Sequence, residues 1–293
     1  MLKKVSNSGF FKLNKLWTQR HEKLSKEIFK SHKESFEWLA DSSKQLTVGS
    51  LAGLFLLTQP IVAKIPVTFS QSMHQANNTV DKKTFLVFEL KSILPDHVQS
   101  LTPQQEQSVS TVLTRDFGIT VAPELNGKRL NTTYGYIGQE QHLALYPGDN
   151  MFIHFQTSDE ATRYFKYGMA PGLGGWGYFA PSKDELTQQD INREKYYIAV
   201  QTFLAPGFEN NPKEYIDFFN YKKMLVVNPQ NGKAVVADIA DARPAPWTGK
   251  QLGGSPEVMH YLERVDGVQK GGVLYFFIDD PNDTIPLGPI NSL

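Results

Sequence analysis

Apolar and polar positions follow different rhythms in different parts of this chain. Over residues 13–39, Leu13, Leu16, Trp17, Leu24, Ile28, Phe36 and Leu39 recur at roughly helical spacing with Lys and Glu between them, which predicts a helix. Residues 46–63, LTVGSLAGLFLLTQPIVA, carry no charge. As a helix they would span ~27 Å, close to the ~30 Å of a hydrocarbon layer. Residues 64–84 are polar and without period, which predicts a linker. Phe85-Leu86-Val87-Phe88 then predicts a strand. Thr102-Pro103 opens a helix that runs to about Arg115, with Val109, Val112 and Leu113 inward and Gly118 closing it.

From Ile119 onward short β runs alternate with turns. Ile119 to Val121, Met151 to Phe155, Tyr196 to Phe203, Lys223 to Asn228, Ala234 to Ile239 and Val273 to Ile278 are the predicted strands. Asn126-Gly127 and Pro147-Gly148-Asp149 predict tight turns, and Asn231-Gly232 predicts a hairpin bend. Ser255 caps a short helix over Pro256 to Leu262, the one helix predicted in this half. The expected fold class is mainly β, a six-stranded barrel in the C-terminal half. A small α+β region and an N-terminal helical or transmembrane segment precede it. The expected domains are a basic helical tail (1–45), an anchor or export signal (46–63), a linker (64–84), an α+β region of unknown type (85–165) and the barrel domain (166–293).

Charge sharpens this picture. Lys and Arg number 30, as do Asp and Glu, but residues 1–45 hold ten basic and five acidic side chains, so the rest of the chain is acidic. A duplex-binding protein needs its cationic footprint on the folded part, so nucleic acid is not an expected partner. Basic residues ahead of the uncharged span predict the tail inside and the remainder outside a membrane. The span reads as a single-pass anchor, a cleaved export signal or a buried helix. The expected location is the cell membrane, with the C-terminal part extracytoplasmic, or secretion, and the lipid bilayer is an expected partner. Cysteine is absent, which excludes disulfides and thiolate chemistry. There is no HExxH and no His cluster at ligand spacing, so neither a metal nor a cofactor is expected.

Lys223 to Leu262 resembles the second half of a double-psi β-barrel of the RlpA, expansin and MltA kind. Asp241-Ala242-Arg243-Pro244 matches the family's corner, Thr248-Gly249-Lys250 its glycine-basic step, Ser255-Pro256 its helix start, and Gly175-Trp176-Gly177-Tyr178-Phe179 its opening strand. The likeness covers residues 174–280. It implies a small barrel with a groove that binds glycan strands, often cell-wall peptidoglycan, and in some members lytic transglycosylation. Arg243 stands where the family has glycine, and Gly253 where one branch has its acid. The run Ala199-Val200-Gln201-Thr202-Phe203 lacks the histidine of another branch.

Such chemistry needs an acid for the glycosidic oxygen. Asp241 is the expected catalytic acid, with Glu140, His142 and Asp149 in reserve. Asp238 is expected at the surface and His154 in the core. Trp176, Tyr178, Trp247, Thr248, Lys250, Gly253 and Gly254 are the expected substrate-binding residues, since flat rings suit sugar faces and glycine lets backbone approach a ligand. Three functions remain open: a lytic enzyme using Asp241, a non-catalytic glycan-binding module, and a surface protein-interaction or assembly module. The oligomeric state is not specified.

Overall fold

The computed structural model describes residues 82–264 and 271–293, all within one unit, Ala76–Leu293. Helix α1 is Lys82–Ile93 and α2 is Pro103–Phe117. Thr102 caps α2 in a capping box with Gln105, and Gly118 ends it in the left-handed conformation, as its sequence predicts. Strand β1 is Val121–Ala122, and Glu124–Leu125 (β2) pairs with Lys128–Arg129 (β3) across a turn in which Asn126 and Gly127 both have positive φ. Strand β4 is Tyr134–Gln139, α3 is Ser158–Tyr164, α4 is Gln188–Lys195 and β5 is Tyr197–Val200. Then follow α5 (Pro212–Phe219), β6 (Lys223–Val227), β7 (Ala234–Asp241), β8 (Leu252–Gly254), α6 (Pro256–Tyr261), β9 (Gly271–Ile278) and β10 (Gly288–Ile290).

Six strands close on themselves in the order β9, β4, β8, β5, β7, β6 and back to β9. The β4–β8 and β5–β7 pairs are parallel and the other four antiparallel, so the barrel is mixed. Two further strands extend it, β1 on β9 and β10 on β7. Alternation along each strand sorts side chains to two faces. Ile137, Ile198, Met224, Val226, Val235, Ala237, Ile239, Leu252, Tyr275 and Phe277 form one core. Leu225, Val227, Val236, Leu274 and Phe276 form a second, packed under Leu86 and Leu90 of α1 and Val109 and Leu113 of α2. Both faces of β6, β7 and β9 are therefore buried, which explains their near-continuous apolar runs.

Several expectations are corrected. Residues 85–88 lie in α1, because Leu86 and Leu90 are four apart and face the barrel while Phe88 is 70% exposed. Residues 151–155 form turns rather than a strand, with the Asn150 side chain accepting the Phe152 N–H and Phe152 87% exposed. Helices α4 and α5 lie in the half where one short helix was expected. The barrel takes β4 from residues 134–139, ahead of the start at 166 read from the sequence. Asp238 is buried, not at the surface, since both faces of β7 are covered.

The predicted helix at 13–39 and the uncharged span 46–63 lie outside the described residues. Among the described residues no helix is long and apolar enough to cross a membrane. The described residues thus give the expected transmembrane or signal-anchor segment, the bilayer as a partner and the single-pass location no helix to rest on.

Candidate functional site

The sequence-predicted residues fall into four groups. In the first, β4 ends at Gln139 and hands Glu140 to the parallel neighbour β8, where the Glu140 N–H donates to Gly254 O at 2.9 Å. The Glu140 carboxylate lies directly against Gly253, where any Cβ would collide with it. Gly253 thus leaves room for a carboxylate from another strand. The Lys250 ammonium pairs with Glu140 Oε1 at 2.5 Å and donates to Gln139 O at 3.3 Å. Gly254 is closed in by Ile137, Val258 and Met259.

Asp241 ends β7 next to a register shift against β5, between Ile198 and Ala199. It is 7% exposed. Oδ1 accepts the Ala242 N–H at 2.8 Å, and Oδ2 lies 3.4 Å from Arg243 Nε. Burial pushes its pKa above the usual carboxylate range, against the Ala242 and Gly175 N–H groups and the Arg243 charge. Gly175 presses on the Asp241 backbone so closely that a Cβ would meet Ala242 N at 3.1 Å.

The rings divide. Trp176 is part-buried against the core and donates its indole N–H to Ile239 O at 2.8 Å, so it secures the barrel end. Tyr178 is 39% exposed and Trp247 88% exposed. Trp247 sits in the 3-10 turn Pro246–Thr248, where the Thr248 hydroxyl donates to Ala245 O at 2.7 Å. The buried Gln201 amide ties both ends of this segment, donating to Pro244 O at 3.0 Å and Lys250 O at 3.3 Å. Gln201 lies in the run that lacks the family's histidine, and here it holds the loop.

The last cluster was not legible in the sequence as an assembly. His142, just beyond β4, His154 in the 151–155 turns and Glu194 on α4 are all buried and bring their donor atoms within 4.8 Å of one another. His142 Nδ1 is 3.3 Å from Glu194 Oε1, and His154 Nε2 is 3.2 Å from Glu194 Oε2. Asp149 Oδ2 accepts from His154 Nδ1 at 2.7 Å and from the Leu145 N–H at 2.8 Å. Burial alone would lower the His154 imidazole, but Asp149 and Glu194 outweigh it and push it up to about 10. Burial alone would likewise raise Glu194, yet its hydrogen bonds and charge interactions with the two imidazoles hold it below the usual carboxylate range. Sequence reasoning named His142 and Asp149 but missed Glu194, because α4 reads as a plain polar helix (QQDINREK) with nothing to mark one carboxylate as buried.

Beside this cluster opens a cleft of about 430 Å³ lined by Tyr164, Tyr196, Tyr261, Glu257, His260 and Lys195 among others. Burial and the nearby Glu194 charge push the Glu257 carboxyl well above the usual range. The fully buried Tyr197 is also raised, first by burial and then by the charges of Glu140, Glu194, Asp241 and Glu257, so all four carboxylates approach one ring.

The strand order and its two parallel pairs decide what the fold can be called. It is consistent with a double-psi-type β-barrel. No family model, no curated protein and no solved structure matches the chain. The double-psi-type barrel therefore stands on its own connectivity. Within it Glu140, Lys250 and Gly253 converge, His142 and Asp149 join a different cluster through His154, and Asp241 belongs to neither.

Proposed function

We propose that this protein is a non-catalytic glycan-binding module, a double-psi-type barrel of the general kind that RlpA, expansin and MltA proteins represent. The observation that carries the reading is Trp247. An indole 88% exposed on a loop tied at both ends by Gln201 is a flat apolar platform on an anchored backbone. Such a ring binds a sugar face with little loss of loop freedom. The Lys250–Glu140 pair, three residues on, supplies a donor and an acceptor for sugar hydroxyls.

Binding without cleavage is supported by how the expected acids are used. Asp241 is held by the Ala242 N–H and faces Arg243, Glu140 is paired with Lys250, and Asp149 is committed to His154. None of them stands as a free acid at a groove.

The test is co-sedimentation of the purified chain with insoluble peptidoglycan and chitin, with Trp fluorescence titration by soluble oligosaccharides. The expected result is saturable binding, no soluble fragments, and an affinity loss of about 10-fold or more in Trp247→Ala, in line with a loss of ~1–3 kcal/mol for a buried ring contact. Failure to bind any polysaccharide would overturn the reading. So would binding that survives Trp247→Ala but is lost in Tyr261→Ala, which would move the site to the tyrosine-lined cleft. Release of soluble fragments would show cleavage, and Asp241→Asn and Glu257→Gln would then identify the acid.

A further inference from the structure

We infer that His142, His154 and Glu194 bind a divalent transition-metal ion of the zinc class, in a site that no spacing in the sequence announces.

The two contacts from Glu194 to the imidazoles measure 3.3 and 3.2 Å. Charge-assisted N–H···O⁻ bonds run ~2.7–2.9 Å, so both are long for a buried imidazolium–carboxylate pair. Two donor atoms each ~2.0–2.1 Å from a tetrahedral ion lie ~3.3 Å apart. Both contacts fall near that length, each to a different oxygen of Glu194, and the donor atoms of the three residues all lie within 4.8 Å of one another, close enough for one ion to gather them.

The contact on the other side of His154 behaves differently. Nδ1 meets Asp149 Oδ2 at 2.7 Å, a true charge-assisted hydrogen bond, and Asp149 is itself fixed by the Leu145 N–H. A carboxylate that takes the N–H of one ring nitrogen and turns the other toward an ion is the usual partner of a metal-binding histidine. The backbone holds the other ligands. His142 is clamped on both sides, its N–H donating to Gly168 O at 3.0 Å and its carbonyl accepting from Ala170 at 2.8 Å. Glu194 Oε1 also accepts the Leu143 N–H at 3.0 Å.

Charge points the same way. Two carboxylates, Asp149 and Glu194, meet two imidazoles in a buried place, and a dication held by neutral imidazoles balances their charge. Two nitrogens and a carboxylate select a borderline ion such as Zn²⁺ over Ca²⁺ or Mg²⁺, which take oxygen.

The inference does not depend on glycan binding. The test uses the full chain, freed of any affinity tag and stripped with chelator, then titrated calorimetrically with Zn²⁺ and spectroscopically with Co²⁺. The expected results are one equivalent bound below about 1 μM, a higher Tm, and the intense visible bands of four-coordinate Co²⁺. Glu194→Gln should weaken binding about 100-fold or more and Asp149→Asn about 10–100-fold, while His260→Asn leaves it unchanged. A folded wild-type chain that takes up no stoichiometric Zn²⁺ would overturn the inference. So would a six-coordinate Co²⁺ spectrum, or binding indifferent to Glu194→Gln. Should Glu194→Gln fail to fold, the wild-type stoichiometry and Co²⁺ spectrum decide.

Discussion

Asp238 shows what a single side chain contributes when the barrel covers both faces of its strand. Its two carboxylate oxygens are buried without hydrogen-bond partners, and Arg193 Nε stands 3.7 Å away while its guanidinium lies over the Tyr221 ring. Burial therefore raises its pKa well above the ordinary carboxylate value, and the Arg193 charge opposes this only in part. A carboxyl raised in the folded state binds its proton more tightly than in the unfolded chain. Its favourable contribution is complete below the unfolded value of about 3.9 and is lost as pH rises through the folded value. Asp238→Asn removes that dependence. Its gain in stability should be on the order of 1 kcal/mol, about 2–4 °C in Tm, at pH 8 and should shrink toward pH 4. Thermal unfolding of both proteins across that range checks this, and a gain that grows toward acid would contradict the assignment. The sequence placed Asp238 at the surface from strand alternation alone, a rule that presumes one wet face.

At the scale of elements, the clearest divergence is α1. FLVF satisfies a strand pattern as well as a helix pattern, because a short apolar run carries too few positions to fix a period. Packing decides it: Leu86 and Leu90 lie on the barrel beside α2, while Phe85 and Phe88 face outward. The two geometries predict opposite mutational results. Leu86→Ala should cost about 2–5 kcal/mol, as for a fully buried leucine, and Phe88→Ala within about 0.5 kcal/mol. Urea denaturation of the two variants distinguishes them, and comparable costs would refute the helix. By contrast α2, α6 and the β6–β7 hairpin were readable, because Thr102, Gly118, Ser255 and Asn231-Gly232 act on backbone groups within a few residues of themselves.

For the whole molecule, barrel closure depends on β4, which bonds to both β8 and β9. A chain starting at residue 166 lacks it, leaving β8 and β9 with unpaired edges and an open barrel. A chain starting at residue 134 keeps the barrel but exposes the apolar face that α1 and α2 cover. Neither should give a soluble, cooperatively unfolding protein, whereas a chain starting at residue 82 should. Circular dichroism and thermal melts of the three test this, and cooperative folding from residue 166 would disprove the role of β4.

The sequence by itself determined the features that local chemistry enforces. These are the helix caps, the hairpin bend, the strands β6, β7 and β9 with their apolar runs, and the turn-rich loop that exposes Trp247. Tertiary structure decided which strands close the barrel, that Glu140 fills the space beside Gly253, and which partner each candidate acid is committed to. It also assembled His142, His154 and Glu194 from three distant segments. Such groupings depend on the path of the backbone between them, and no residue near any one of the three carries that path.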